Sequence, residues 1–206
     1  QMGYHALMVD FRGQGGSSGT STTLGLREAE DVAAAVAHAD TIGLPRPYVT
    51  YGVSTGSVAI MRAIRDGLTV DAALLEMPFA HLMNAVKTRM KAQDFPTWGV
   101  AELLVFWGGV QHGYNAFAHN PVRYARALTL PTLILQGEKD RWTRLEEVQD
   151  IYHNLPGAKE MVVFPGAGHN LLVTVDQPLW TEAIADFLTS HLGPSSVSPN
   201  PHQPRG

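Results

Sequence analysis

Short apolar runs recur along this chain at residues 4–10, 48–51, 72–76, 132–136 and 160–164, and stretches with helical spacing lie between and after them. Several of these runs are apolar without alternation, as strands buried on both faces of a parallel sheet must be. None approaches the roughly 18 residues of a membrane-spanning helix. Strand–helix alternation of this kind builds a mostly parallel sheet with helices packed on both of its faces. The expected fold is therefore α/β, a three-layer α/β/α arrangement with about five strands. Helices are expected near residues 24–42, 56–65, 145–154 and 179–191, while 78–130 reads as helices and irregular loops without a strand. Glu28, Glu30 and Asp31 stand near the start of the first helix, where its macrodipole favours negative charge, and Gly43 and Pro45 end it. No internal repeat or linker divides the chain, so residues 1–192 are expected to form one domain. Residues 193–206 form a Pro/Ser-rich tail with too few apolar groups to pack, and are expected to be disordered.

Composition removes whole classes of function. Fifteen Lys and Arg against nineteen Asp and Glu give a net charge of −4, which is the wrong sign for a nucleic-acid footprint. With 45% hydrophobic and 17% charged residues, the balance is that of a compact soluble chain. The absence of cysteine excludes disulfides, thiolate metal sites and cysteine nucleophiles together. Eight of the nine histidines are scattered without ligand spacing, so no metal site and no cofactor is expected. The first residue is Gln1 rather than Met, which leaves any targeting segment, and with it the compartment, open.

Chemistry concentrates at three places, each at the carboxyl end of an expected strand, where open α/β sheets keep their sites. Gly52-Val53-Ser54-Thr55-Gly56 fits G-x-S-x-G and sits between a strand and a helix, the setting of a nucleophile elbow. There the small residues let the chain reverse, Ser54 Oγ stands clear of the sheet, and the Thr55 N–H faces a developing oxyanion. The competing reading is an ordinary strand-to-helix turn with a capping serine. Asp140 follows the strand 132–136 after a glycine turn, and His169 follows the strand 160–164 in Pro-Gly-Ala-Gly-His. Two other acids compete with Asp140: Glu138, two positions earlier, and Glu76, at the end of the strand 72–76.

The order Ser54, Asp140, His169, spaced by 86 and then 29 positions, resembles that of the α/β-hydrolase fold superfamily. Asp10-Phe11-Arg12-Gly13-Gln14-Gly15-Gly16-Ser17 resembles that family's D-x-R-G-x-G-x-S loop, with Gln14 where His is common and Gly16 as an extra residue. The likeness is greatest to compact bacterial esterase- or aminopeptidase-type members without a large cap, and it runs from about residue 3 to 192. The resemblance implies Ser54 as nucleophile, His169 as general base then acid, and Asp140 as the group orienting the imidazole. It implies a serine hydrolase acting on an ester, thioester or amide of a small-molecule acyl substrate. Asp10 and Arg12 are read as structural members of the first loop. Phe79, Trp98, Phe106, Trp107 and Tyr114 either line an apolar acyl pocket or pack between helices, the second being expected for most of them.

The same resemblance makes the run 4–10 the family's fourth strand, so the chain reads as a hydrolase lacking its N-terminal strands and the second oxyanion donor. The family's third strand would lie between the runs 4–10 and 48–51. The alternative to such a fragment is a rearranged sheet in which those two runs pair directly. A second functional reading follows, a catalytically incomplete hydrolase-like chain that only binds a ligand or partner. Nucleotide binding through the first glycine loop fails, because Ser18 replaces the last glycine of the dinucleotide pattern and residues 52–57 hold no P-loop lysine. The oligomeric state is left open.

Overall fold

The computed structural model describes residues 3–193. Helix α1 (Glu28–Thr41) precedes strand β1 (Val49–Val53), helix α2 (Thr55–Arg65) and strand β2 (Ala72–Glu76). Helices α3 (Leu82–Ala92) and α4 (Val100–His112), a short 3-10 turn (Ala116–Ala118) and α5 (Pro121–Ala125) lead to β3 (Thr132–Gly137). Helix α6 (Leu145–Asn154), strand β4 (Lys159–Phe164), α7 (Leu172–Val175) and α8 (Gln177–Leu192) complete the order. The four strands are parallel and lie in chain order, β1-β2-β3-β4.

Alternate residues of the strands face opposite ways, and each face finds its own helices. Ala73, Leu75 and Ile134 meet α1, α2, α5 and α6 in one core, with Val32, Val58, Ile64, Tyr124 and Ile151. Ala72, Leu74, Leu133 and Leu135 face the other way, onto Leu172, Ile184, Phe187 and Leu188 of α7 and α8. The expected three layers are thus present. The central strands β2 and β3 are buried at every position, which is why the interiors of AALLE and TLILQG are apolar and their polar residues, Glu76, Thr132 and Gln136, stand at or next to the strand ends. Helix α2 is buried nearly all round and exposes chiefly Arg65.

One expectation is corrected. The run 4–10 forms no strand, so the described sheet has four strands rather than five. Its apolar side chains are not buried on both faces: Leu7 is 47%, Met8 92% and Val9 42% exposed. The physical reason is that a strand exists only through its neighbours. Nothing in the described residues pairs with 4–10, and β1 is left as a sheet edge. Between them runs a groove of about 1020 Å³, lined on one side by Leu7 and Val9 and on the other by Val49 and Tyr51. The direct pairing of the two runs does not occur, and no other described segment fills the groove.

The loop after this run is tied down by polar contacts. Asp10 accepts the Gly16 N–H at 2.9 Å, and its carbonyl accepts the Ser17 hydroxyl at 2.7 Å. Arg12 holds the Asp31 carboxylate of α1 at 2.7 Å and Glu30 at 2.9 Å. Asp10 therefore closes the first loop on itself, and Arg12 fastens it to α1. The tail expected at 193–206 falls, beyond Gly193, outside the described residues. Among the described residues no helix is long and apolar enough to cross a membrane.

Candidate active site

Parallel order sends all four strand ends to one edge of the sheet, and the three candidate residues all follow strand ends. Ser54 comes directly after β1 and adopts φ 52°, ψ −111°, a left-handed backbone that costs energy in any residue with a side chain. Hydrogen bonds hold the turn in that state. The Ser54 N–H donates to the Glu76 carbonyl at 2.7 Å. The Ser57 hydroxyl lies 2.6 Å from the Gly52 carbonyl and 3.0 Å from that of Glu76. The two motif glycines differ in need. A Cβ on Gly52 would lie 2.5 Å from the backbone carbon of Gly56, so only glycine fits there. A Cβ on Gly56 would meet just the Phe11 ring at 3.8 Å, an ordinary contact. Ser54 is half-buried and therefore reachable from solvent. Thr55 opens α2, so its N–H is one of the first-turn donors that a helix leaves without an internal partner.

Asp140 and His169 meet at the adjoining strand ends. The His169 ring nitrogen Nδ1 lies 2.6 Å from Asp140 Oδ2. The Asp140 side chain is fully buried, and it also accepts the Thr143 hydroxyl at 2.7 Å and the N–H groups of Trp142 at 2.7 Å and Thr143 at 3.0 Å. Burial by itself would raise the Asp140 carboxyl, but the hydrogen bonds from His169 and Thr143 outweigh it and hold the group below its ordinary range. The loops bearing the pair are zipped together. Glu138 N–H donates to Phe164 at 3.0 Å and Lys139 N–H to Ala167 at 2.8 Å. A Cβ on Gly137 would stand 2.5 Å from the Gly168 carbonyl, so this glycine is what lets the loops touch. No hydrogen bond joins Ser54 Oγ to His169 among the described residues, a contact that in ligand-free sites often forms only with substrate.

The rival acids are engaged elsewhere. Glu138 accepts the Gly166 N–H at 2.7 Å, bracing the His169 loop from outside. Glu76 is fully buried and accepts from Tyr51, Leu172 and Trp180. The Glu76 contacts carry no local sequence signal. Glu76 reaches partners 96 and 104 residues further along the chain. The aromatic residues divide. Phe79 is buried in the core, and Tyr114 packs partly against it. Packing does not describe Trp98, 93% exposed, or Phe106 and Trp107, each about half exposed. Helix α4 turns Ala101, Val105 and Gly109 inward and leaves its bulky residues outside. Among the described residues no group of three or more His, Asp and Glu is arranged to hold a metal ion.

Comparisons with known proteins bear on the fold and the family. The chain is 23% identical over 199 residues to the protein YqkD of Bacillus subtilis, covering 91% of this chain and 63% of that one. It is 29% identical over 203 residues to the human protein ABHD12B, covering 91% of this chain and 53% of its relative. The chain thus spans between about half and two thirds of the length of these curated relatives. Among solved structures, the esterase Pf2001 of Pyrococcus furiosus superposes with a TM-score of 0.68 at 23% identity, over 89% of this chain and 70% of that one. At that identity the likeness is one of fold. The family follows from a broader match, since a model of the alpha/beta hydrolase family spans residues 1–184, and the chain belongs to that family.

Proposed function

We propose that this protein is a serine hydrolase that cleaves an ester, thioester or amide through an acyl-enzyme on Ser54. The observation that carries the reading is the buried Asp140–His169 contact of 2.6 Å at the same sheet edge as a strained, half-buried serine. With Nδ1 donating to Asp140, the other ring nitrogen, Nε2, is left as the acceptor a general base needs. Ser54 Oγ attacks the carbonyl carbon as its proton passes to His169 Nε2. The carbonyl oxygen becomes an oxyanion facing the Thr55 N–H, a kind of donor worth about 3 to 4 kcal/mol in kcat. Collapse breaks the bond to the leaving group, which departs with the proton from His169. Water then gives a proton to His169 and attacks the acyl carbon, and the carboxylic acid leaves as Ser54 recovers its proton. The substrate is a small acyl compound with an apolar portion, the half-exposed Trp107 being the candidate contact for it.

A fluorophosphonate probe tests the reading. Labelling of the folded protein at Ser54, abolished in Ser54→Ala together with turnover of short-chain esters, is the expected result. A folded protein that takes no label overturns it and favours a chain that binds without turnover.

A further inference from the structure

Glu76 touches both halves of the site at once. Its main-chain carbonyl accepts the Ser54 N–H at 2.7 Å. Its carboxylate, with no solvent exposure, accepts the Leu172 N–H at 2.8 Å through Oε1. Leu172 is three residues past His169 and opens α7. The other oxygen, Oε2, accepts the Tyr51 hydroxyl at 2.7 Å and the Trp180 indole N–H at 3.1 Å. Tyr51 lies three residues before Ser54, and its ring meets that of Trp180 edge-to-face at 5.9 Å. Asp140 holds His169 by its ring from one side, but a hydrogen bond to one nitrogen leaves the segment after His169 free to tilt. The Leu172–Glu76 bond removes that freedom and refers the His169 segment to the residue that also fixes Ser54.

From this we infer that Glu76 is a positioning residue, setting the distance between Ser54 and His169 without touching either side chain. The inference rests on the serine hydrolase reading above. All three side-chain partners of Glu76 donate, and a carboxylate accepts from all of them. A glutamine has one acceptor oxygen and an NH₂ group. Tyr51 can turn its hydroxyl to accept from that NH₂, but either Leu172 or Trp180 then faces an N–H instead of an acceptor.

The test compares Glu76→Gln with Glu28→Gln, another fully buried carboxylate that accepts several hydrogen bonds but has none to the site. Both are assayed below their unfolding temperatures. Glu76→Gln is expected to slow fluorophosphonate acylation of Ser54 about 10- to 100-fold, the scale of a small misplacement of reacting groups. It is also expected to move or broaden the downfield NMR signal of the His169 Nδ1 proton. Glu28→Gln should lose stability but keep the wild-type acylation rate and signal. The double variant Glu76→Gln/Trp180→Phe removes the stranded donor, so Leu172 regains its acceptor and the acylation rate recovers. The proposal is overturned if Glu76→Gln retains both rate and signal, or if Glu28→Gln slows acylation as much. If Glu76→Gln alone fails to fold, a double variant that folds but stays slow overturns it as well. Wild-type protein that takes no label at Ser54 would sink the hydrolase reading, while the His169 signal still reports on Glu76.

Discussion

At the scale of single residues, the site separates acids that a sequence presents as equals. Asp140, Glu138 and Glu76 all follow or end strands, yet only Asp140 meets the imidazole. Asp140→Asn should reduce kcat/KM for ester hydrolysis about 10³- to 10⁴-fold, because an amide N–H aimed at Nδ1 favours the tautomer whose Nε2 carries the proton. Glu138→Gln keeps an acceptor for the Gly166 N–H and should change the rate far less, a contrast that steady-state kinetics on the two variants reads directly. The Asp140 carboxyl lies below its ordinary value of 3.8, so its contribution to stability is complete above that pH. It is lost only as pH falls further, through the folded-state value. The glycines divide similarly. Gly52 and Gly137 are required by contacts of 2.5 Å, whereas Gly56, equally prominent in the motif, is not.

At the scale of elements, what could be read from the chain depended on how local each cause was. Strands β2 and β3 and helix α6 lie at or within a residue of the boundaries expected for them, because continuous apolar runs and helical spacing act over a few residues. The run 4–10 has the same apolar character, yet it forms no strand, since pairing depends on a neighbour that its own sequence does not specify. The anchor of α1 was likewise illegible. Glu28 carries no exposure and reaches back to the Thr22 hydroxyl at 2.7 Å, to the Thr23 N–H at 2.7 Å and hydroxyl at 2.6 Å, and to the Gly25 N–H at 2.9 Å. Burial would raise its carboxyl, but the hydrogen bonds from Thr23 and Thr22 prevail and lower it from the ordinary 4.5. The sign follows: its stabilising effect is complete above pH 4.5 and fades as pH falls through the folded-state value. Glu28→Gln should therefore cost about 1 to 3 kcal/mol near neutral pH. The gap to wild type should narrow in thermal melts taken below pH 4.5, where the wild-type carboxylate is itself being protonated.

At the scale of the whole molecule, support is uneven. β3 is flanked on both sides, whereas β1 has β2 on one side and the groove of about 1020 Å³ on the other. Regions with fewer buried contacts open at lower free energy than the rest. In native-state hydrogen exchange, β1 amides should accordingly lose protection at lower denaturant than those of β3. The zipped loops that follow β3 and β4 join residues only 29 positions apart, Asp140 and His169, while Ser54 reaches them across β2. Under mild denaturant the acid–base pair should therefore outlast the nucleophile. Loss of acylation would then precede loss of the His169–Asp140 bond, a failure by disarming rather than by collapse.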